Sequence, residues 1–227
     1  MFIGISCSAL PVDFVVFGDG DTGFGNQMNV KRTVKQYAKA GVACIMLEDQ
    51  VSPKQCGHTS GKQVVSRAES ISRIKAACMA RDELREDGEG DILIMARTDA
   101  RGPMGMEEAI TRCILFRELG ADITFLEAPV SKEELQEYCQ RVSGPKMCNI
   151  LEGGLTPILD MHELETMGFA IAVYPFDILL AIIEAGSSAL RRLKQSRDPY
   201  SEDTVKELWE LTGFVKYQEE LDSFKRN

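Results

Sequence analysis

Six short apolar runs, each ending on a polar group, constrain the fold of this chain more than any other feature. Phe14 to Phe17 runs into Asp19 and Asp21. Val42 to Leu47 ends on Glu48 and Asp49, and Ile92 to Ala96 ends on Arg97 and Asp99. Ile123 to Leu126 ends on Glu127, Met147 to Leu151 carries Asn149 and ends on Glu152, and Phe169 to Val173 ends on Tyr174. Between most of the runs lies a stretch long enough for a helix. Alternating strand and helix lengths imply βα units and a parallel sheet, whose strands present their C-terminal ends on one face. One polar group at each buried strand tip is the arrangement by which a TIM-like (β/α) barrel builds an active site.

Helix and stop signals support that order. Helices are expected over Val30 to Ala40 with Gly41 as the stop, Val64 to Glu86 ahead of the turn-rich DGEGD at 87–91, and Met106 to Leu119 ahead of Gly120. Ser131 to Arg141 follows Pro129, with Ser131 and Glu134 spaced as a capping box, and Leu159 to Met167 stops at Gly168. After Pro175 two more helices are expected, Phe176 to Gln195 and Ser201 to about Lys225. The second is amphipathic through Val205, Leu208, Trp209, Leu211, Phe214 and Val215. Residues 1–227 therefore read as one α/β-barrel domain, with 176–227 as C-terminal helices for packing on the barrel or on a second subunit. Six strands are two short of a closed barrel, so either MFIGISCSAL supplies a remnant strand or the first one or two βα units are expected to be missing.

The formal net charge of -9 argues against a nucleic-acid partner, although a local pocket can still be positive for a small anion. Seven cysteines occur as singletons without a CxxC pair, which fits a reduced, intracellular protein. No run approaches the length of a membrane span, and MFIGISCSALP lacks the n- and h-regions of a secretory signal, so a cytoplasmic or mitochondrial location is expected.

Three groups of residues carry the chemistry. In GDGDTGFGN, Asp19 and Asp21 are two apart and, on a strand, would point the same way. Crowded carboxylates repel unless a cation lies between them, and hard oxygen donors suit Mg²⁺ or Mn²⁺. Glu48 and Asp49 at the next tip would add further carboxylates. In VSPKQCGHTSGK, Lys54 and His58 flank Cys56, and cationic neighbours favour the thiolate. Such a thiol on a loop at a barrel mouth can move a proton. Arg97 is suited to clamp a substrate carboxylate or phosphate, or else to pair with Asp99 or Glu127. Glu127 would orient Arg97 or protonate substrate, Asn149 would hydrogen-bond a carboxylate, and Gly153–Gly154 leave room for an anion. His162 lies in a helical pattern and reads as solvated or packed.

GDGDTGFGN, LEDQVSPKQCGH, MARTDA, FLEAP and NILEGG occur in an order that resembles the isocitrate lyase and phosphoenolpyruvate mutase superfamily, from about Asp13 to about Pro175. The resemblance implies an α/β barrel, a homotetramer, and a C-terminal helix exchanged between subunits. It implies Mg²⁺ held by Asp19 directly and by Asp21 and Glu48 largely through water. The lyase branch carries KxCGH in its gating loop, matched by Lys54, Cys56, Gly57 and His58. Arg97, Glu127 and Asn149 match positions that bind substrate carboxylates in the lyases. The family's Tyr-Ser-Gly-Gly-like turn and first-strand aspartate have no counterpart before Asp13. Leu151 stands where several lyases have a hydroxyl residue.

The activity this implies is Mg²⁺-dependent cleavage of a C–C bond in a 2-hydroxy or 2-oxo di- or tricarboxylate, such as 2-methylisocitrate, dimethylmalate or oxaloacetate. Cys56 would protonate the departing carbanion, with Lys54, His58 and Glu127 beside it. Gly57, His58, Arg97 and Asn149 would bind substrate. The alternatives are phosphonomutase chemistry on a phosphoenolpyruvate-like substrate and a non-catalytic, truncated relative.

Overall fold

The computed structural model describes residues 15–55, 61–195 and 200–225. The chain divides into two compact units, one ending at Phe176 and the other beginning at Asp177. The larger unit holds six strands: β1 (Phe17–Asp19), β2 (Cys44–Glu48), β3 (Leu93–Thr98), β4 (Ile123–Leu126), β5 (Lys146–Asn149) and β6 (Ile171–Val173). They pair in sequence order and all in parallel, giving a curled half-barrel sheet.

The helices lie between and after the strands. They are α1 (Gln27–Lys39), α2 (Arg67–Glu86), α3 (Arg101–Met104), α4 (Met106–Glu118), α5 (Lys132–Arg141) and α6 (Met161–Met167). Side chains cap most of them, as short polar residues at a helix start can do. Asn26 accepts from the Met28 and Asn29 amides, Ser66 from Glu69, Ser131 from Glu134 and Asp160 from Glu163. The expected capping box at α5 is only half formed. The Ser131 hydroxyl takes the Glu134 amide, but Glu134 Oε2 accepts from Val130 N at 2.8 Å and from Arg101 Nε at 3.0 Å.

Strand alternation divides the core into two faces. On the outer face, Ile45, Leu47, Ile94 and Ala96 pack on Val30 and Val34 of α1 and Ile74, Ala77 and Leu84 of α2. A second outer cluster joins Leu126, Cys148 and Ile150 to Ile110 and Cys113 of α4, Leu135 and Tyr138 of α5 and Leu164 of α6. The inner face carries Cys44, Met95, Ile123, Phe125 and Met147, with Met46, Ile171 and Val173 against them. Continuing that inner register toward the strand tips leads to Asp19, Glu48, Arg97, Glu127 and Asn149. The apolar runs thus form the strands, and their terminal polar groups share the inner rim.

Two expectations need correction. Strand β1 ends at Asp19, and Asp21 lies in the following turn with φ 48. The pair therefore does not share a face by strand alternation. The C-terminal stretch expected as one helix from Ser201 is two, α8 (Glu202–Leu211) and α9 (Phe214–Ser223). Gly213, in the left-handed region at φ 75, separates them. The smaller unit consists of these and α7 (Asp177–Gln195); its apolar side chains, among them Ile178, Ile182, Leu190 and Leu211, are exposed. Among the described residues, no helix is long and apolar enough to cross a membrane.

Candidate active site at the strand tips

The turn after β1 brings its two aspartates to the tip of β2. Asp21 N donates to Asp19 Oδ1 at 2.8 Å, and Glu48 N donates to Asp21 O at 2.9 Å. Tyr37 of α1 donates from its hydroxyl to the Asp19 carbonyl at 2.8 Å. Gly23 is required here, because a Cβ at that position would stand 2.4 Å from Val30 Cγ2, and its φ is +87. Asp21, Phe24 and Ala128 are the described non-glycine residues with positive φ, and each lies in the loop just beyond a strand tip. Such backbone conformations cost energy and recur at functional sites.

Lys54 is drawn into this turn from the loop after β2. Its ammonium contacts Asp19 Oδ2 at 3.1 Å, Asp21 Oδ1, and Glu48 Oε1 at 3.7 Å. Burial alone would lower the Lys54 pKa, but its bond to Asp21 and the charges of Glu48 and Asp19 raise it. Glu48 is fully buried, and neither of its carboxylate oxygens accepts a hydrogen bond among the described residues. Burial pushes its carboxyl up to about 7, against the opposing pull of Arg97 and Lys54.

Arg97 neighbours Glu48 across the β2–β3 register and lies with its guanidinium 5.1 Å from the centre of the Phe125 ring. Its Nε reaches Asp99 Oδ2 at 2.8 Å and Glu48 Oε2 at 3.1 Å. Its Nη2 reaches Asp99 Oδ1 at 3.1 Å and, less closely, Glu127 Oε2 at 3.9 Å. The pairing with Asp99 and Glu127 anticipated as the alternative to a substrate clamp is therefore present. Asn149 closes β5 in the same inner register as Met147, half-buried.

The chemistry of this donor set fits a divalent cation. Five carboxylates (Asp19, Asp21, Glu48, Asp99 and Glu127) and three cations (Lys54, Arg97 and Lys62) are linked by contacts no longer than 3.9 Å. Among the described residues the set is short of positive charge; burial first, and then the charges of Asp99 and Asp19, raise the Glu48 pKa. Asp19, Asp21 and Glu48 already converge on one ammonium. Among the described residues, no three His, Cys, Asp or Glu side chains form a ready-made metal cage. Mg²⁺ does not need one, since it keeps several waters and is held through one or two carboxylates.

Not every expected residue belongs to this cluster. Asp49 turns to the outer face, where it accepts from Thr98 Oγ1 at 2.6 Å, Asp99 N at 2.9 Å and Arg112 Nη1 at 2.9 Å. It is a buried strut and not a further carboxylate for the cation, as the sequence had suggested. His162 is exposed on α6, and Glu152 is exposed in the turn after β5. Cys56, Gly57 and His58 lie outside the described residues. Sequence reasoning missed Lys62 and Gln50. Gln50 is buried and clamps the loop by exchanging two 2.9 Å hydrogen bonds with the Gln55 backbone. Neither had a sequence signal beyond its place beside the KxCGH loop.

Comparison with known proteins gives the family of the chain. Residues 6–194 match the family model described as phosphoenolpyruvate phosphomutase. The chain belongs to the PEP mutase/isocitrate lyase superfamily. It is 48% identical over 160 residues to 2,3-dimethylmalate lyase of Eubacterium barkeri, an alignment covering 70% of this chain and 53% of that protein. It is 39% identical over 207 residues to 2-methylisocitrate lyase of Aeropyrum pernix, covering 89% of this chain and 65% of the relative. The chain thus spans about half to two-thirds of the length of these relatives. The crystal structure of a 2,3-dimethylmalate lyase, described as a PEP mutase/isocitrate lyase superfamily member, matches with a TM-score of 0.82 at 34% identity, covering 95% of this chain and 71% of that one. The superfamily's barrel-like fold is therefore the fold of this chain.

Proposed function

We propose that this superfamily member is a Mg²⁺- or Mn²⁺-dependent lyase that cleaves a C–C bond in a 2-hydroxy or 2-oxo di- or tricarboxylate. The observation that carries the reading is the convergence of Asp19, Asp21 and Glu48 on one cationic position, with Arg97 beside Glu48. Relatives that are 2,3-dimethylmalate and 2-methylisocitrate lyases support the reaction class. In this reading Asp19, Asp21 and Glu48 hold the ion. When bound, it supplies positive charge to a substrate carboxylate and the neighbouring oxygen.

The chain's own groups do the rest. Arg97 binds a substrate carboxylate while Asp99 and Phe125 fix the plane of the guanidinium. Asn149 and Gly57 orient the substrate, and His58 hydrogen-bonds it where negative charge develops. Breaking the C–C bond of a 2-hydroxy acid forms a carbonyl on one fragment and leaves an electron pair on the other. The hydroxyl proton passes to a basic group of the rim, and Cys56 donates a proton to the departing carbanion. Lys54 and Glu127 adjust the charge around that transfer. The residues after Phe176 serve as oligomer-packing helices, exchanged between the subunits of a homotetramer.

A screen of C4 to C7 hydroxy and oxo acids with Mg²⁺, read by mass spectrometry, tests the reaction. It should include 2,3-dimethylmalate, 2-methylisocitrate, oxaloacetate and phosphonopyruvate. The expected result is release of pyruvate or another short oxo or carboxylic acid from a hydroxy or oxo acid. Conversion of phosphonopyruvate alone would favour the mutase alternative, for which the family model's description speaks. Binding without turnover would favour a non-catalytic relative. Cys56→Ser is expected to abolish turnover and spare metal binding, and near-normal turnover would remove Cys56 from the proton-transfer role.

A further inference from the structure

Lys62 is an unusual lysine. It stands between exposed Gly61 and exposed Gln63 at the downstream foot of the loop joining β2 to α2, yet its own side chain is only 5% exposed. Its ammonium reaches Asp99 Oδ1 at 3.3 Å, the same oxygen that accepts from Arg97 Nη2 at 3.1 Å. The backbone provides for it: a methyl group at Gly102 of α3 would stand 2.9 Å from Lys62 Cε. The foot of the loop is pinned as well. Val51 N donates to Gln63 O and Val65 N to Asp49 O, both at 2.9 Å, and Gln50 bridges to Val64. Burying an ammonium is costly unless charge or hydrogen bonds compensate it, so this placement needs a reason.

The geometry points to Lys62 as a positioning residue that shares the Asp99 carboxylate with Arg97, offsets part of the negative charge around that guanidinium, and so raises the affinity of the site for an anionic carboxylate. Without Lys62, the carboxylates of Asp99, Glu48 and Glu127 all draw on Arg97. With it, Asp99 is shared between two cations, and less of the Arg97 charge is consumed by its carboxylate neighbours. The interaction acts over a few ångströms in a largely buried setting, where Coulomb terms are less screened than in water. Burial would raise the Asp99 pKa, but Arg97 and Lys62 lower it, in keeping with a carboxylate shared by two cations.

This inference rests on the proposed carboxylate-cleaving site, and its test separates the two. Oxalate binding in the presence of Mg²⁺ is measured by calorimetry on the full chain and on Lys62→Met and Lys62→Arg, beside KM and kcat for any acid that is turned over. Lys62→Met is expected to weaken oxalate binding about tenfold and to raise KM more than it lowers kcat, with Lys62→Arg recovering most of the loss. If Lys62→Met does not fold, Gly102→Ala displaces the same ammonium without changing charge and should weaken oxalate in the same direction. Weaker oxalate binding by Lys62→Met with no turnover by any form would overturn the lyase reading and leave the role of Lys62 standing. Turnover with unchanged KM and oxalate affinity in the folded variant would do the reverse. A wild-type chain that binds no oxalate overturns both.

Discussion

Glu48 concentrates the residue-scale argument. It is fully buried, touches two cations, and still has a carboxyl raised to about 7, chiefly by burial. A carboxyl raised on folding binds its proton more tightly in the native state. Its contribution to stability is therefore greatest at low pH and declines as pH rises from the ordinary carboxylate range through about 7. Glu48→Gln is expected to flatten that decline and to stabilise the metal-free protein by on the order of 1–3 kcal/mol at pH 8, while weakening divalent-ion binding. Thermal melts of both forms at pH 5.5 and 8, with EDTA and with Mg²⁺, check this, and parallel pH profiles would contradict it. The polar groups of the rim were legible because each ends an apolar run. Their partners were less so. The Arg97–Asp99 pair is visible as an i, i+2 spacing, but Lys62 meets Asp99 across 37 positions, and no local pattern announces that contact.

At the scale of elements, the buried ion network ties the two sides of the sheet together. Asp49 at the end of β2 holds Thr98 and Asp99 at the end of β3, and Arg112 of α4 neutralises it. Arg112 also pairs with Glu108 at 2.8 Å and donates to Val65 O at 3.0 Å. Removing the cation leaves a buried carboxylate uncompensated, so Arg112→Met is expected to cost roughly 3–5 kcal/mol in denaturant unfolding. A loss below 1 kcal/mol would show that Asp49 finds another partner. Strand and helix order were legible because burial on both sheet faces makes the strands continuous apolar runs, while the helices carry stops such as Gly41 and Gly168. Short elements were not: α3 covers only Arg101–Met104, and the break at Gly213 lies inside an amphipathic pattern that continues on either side. Asp21 was misread for a similar reason, since a turn can bring two aspartates to one cation as well as a strand can.

For the whole molecule, the exposed apolar side chains of α7, α8 and α9 are more than an isolated soluble surface ordinarily shows. They fit the proposed packing between subunits. Sedimentation velocity should therefore detect a concentration-dependent oligomer, shifted toward monomer by Ile182→Asp combined with Leu190→Asp. A wild-type monomer at all concentrations would contradict the proposed assembly. The central claim is that the strand tips form a binding site for a divalent cation, centred where Lys54 meets Asp19, Asp21 and Glu48. Titration of Mn²⁺ into wild-type protein and into Asp19→Ala, followed by calorimetry, tests it most directly. The account predicts one site per chain in the wild type, with affinity at least tenfold weaker in Asp19→Ala. Equal Mn²⁺ affinity in the two proteins would contradict it.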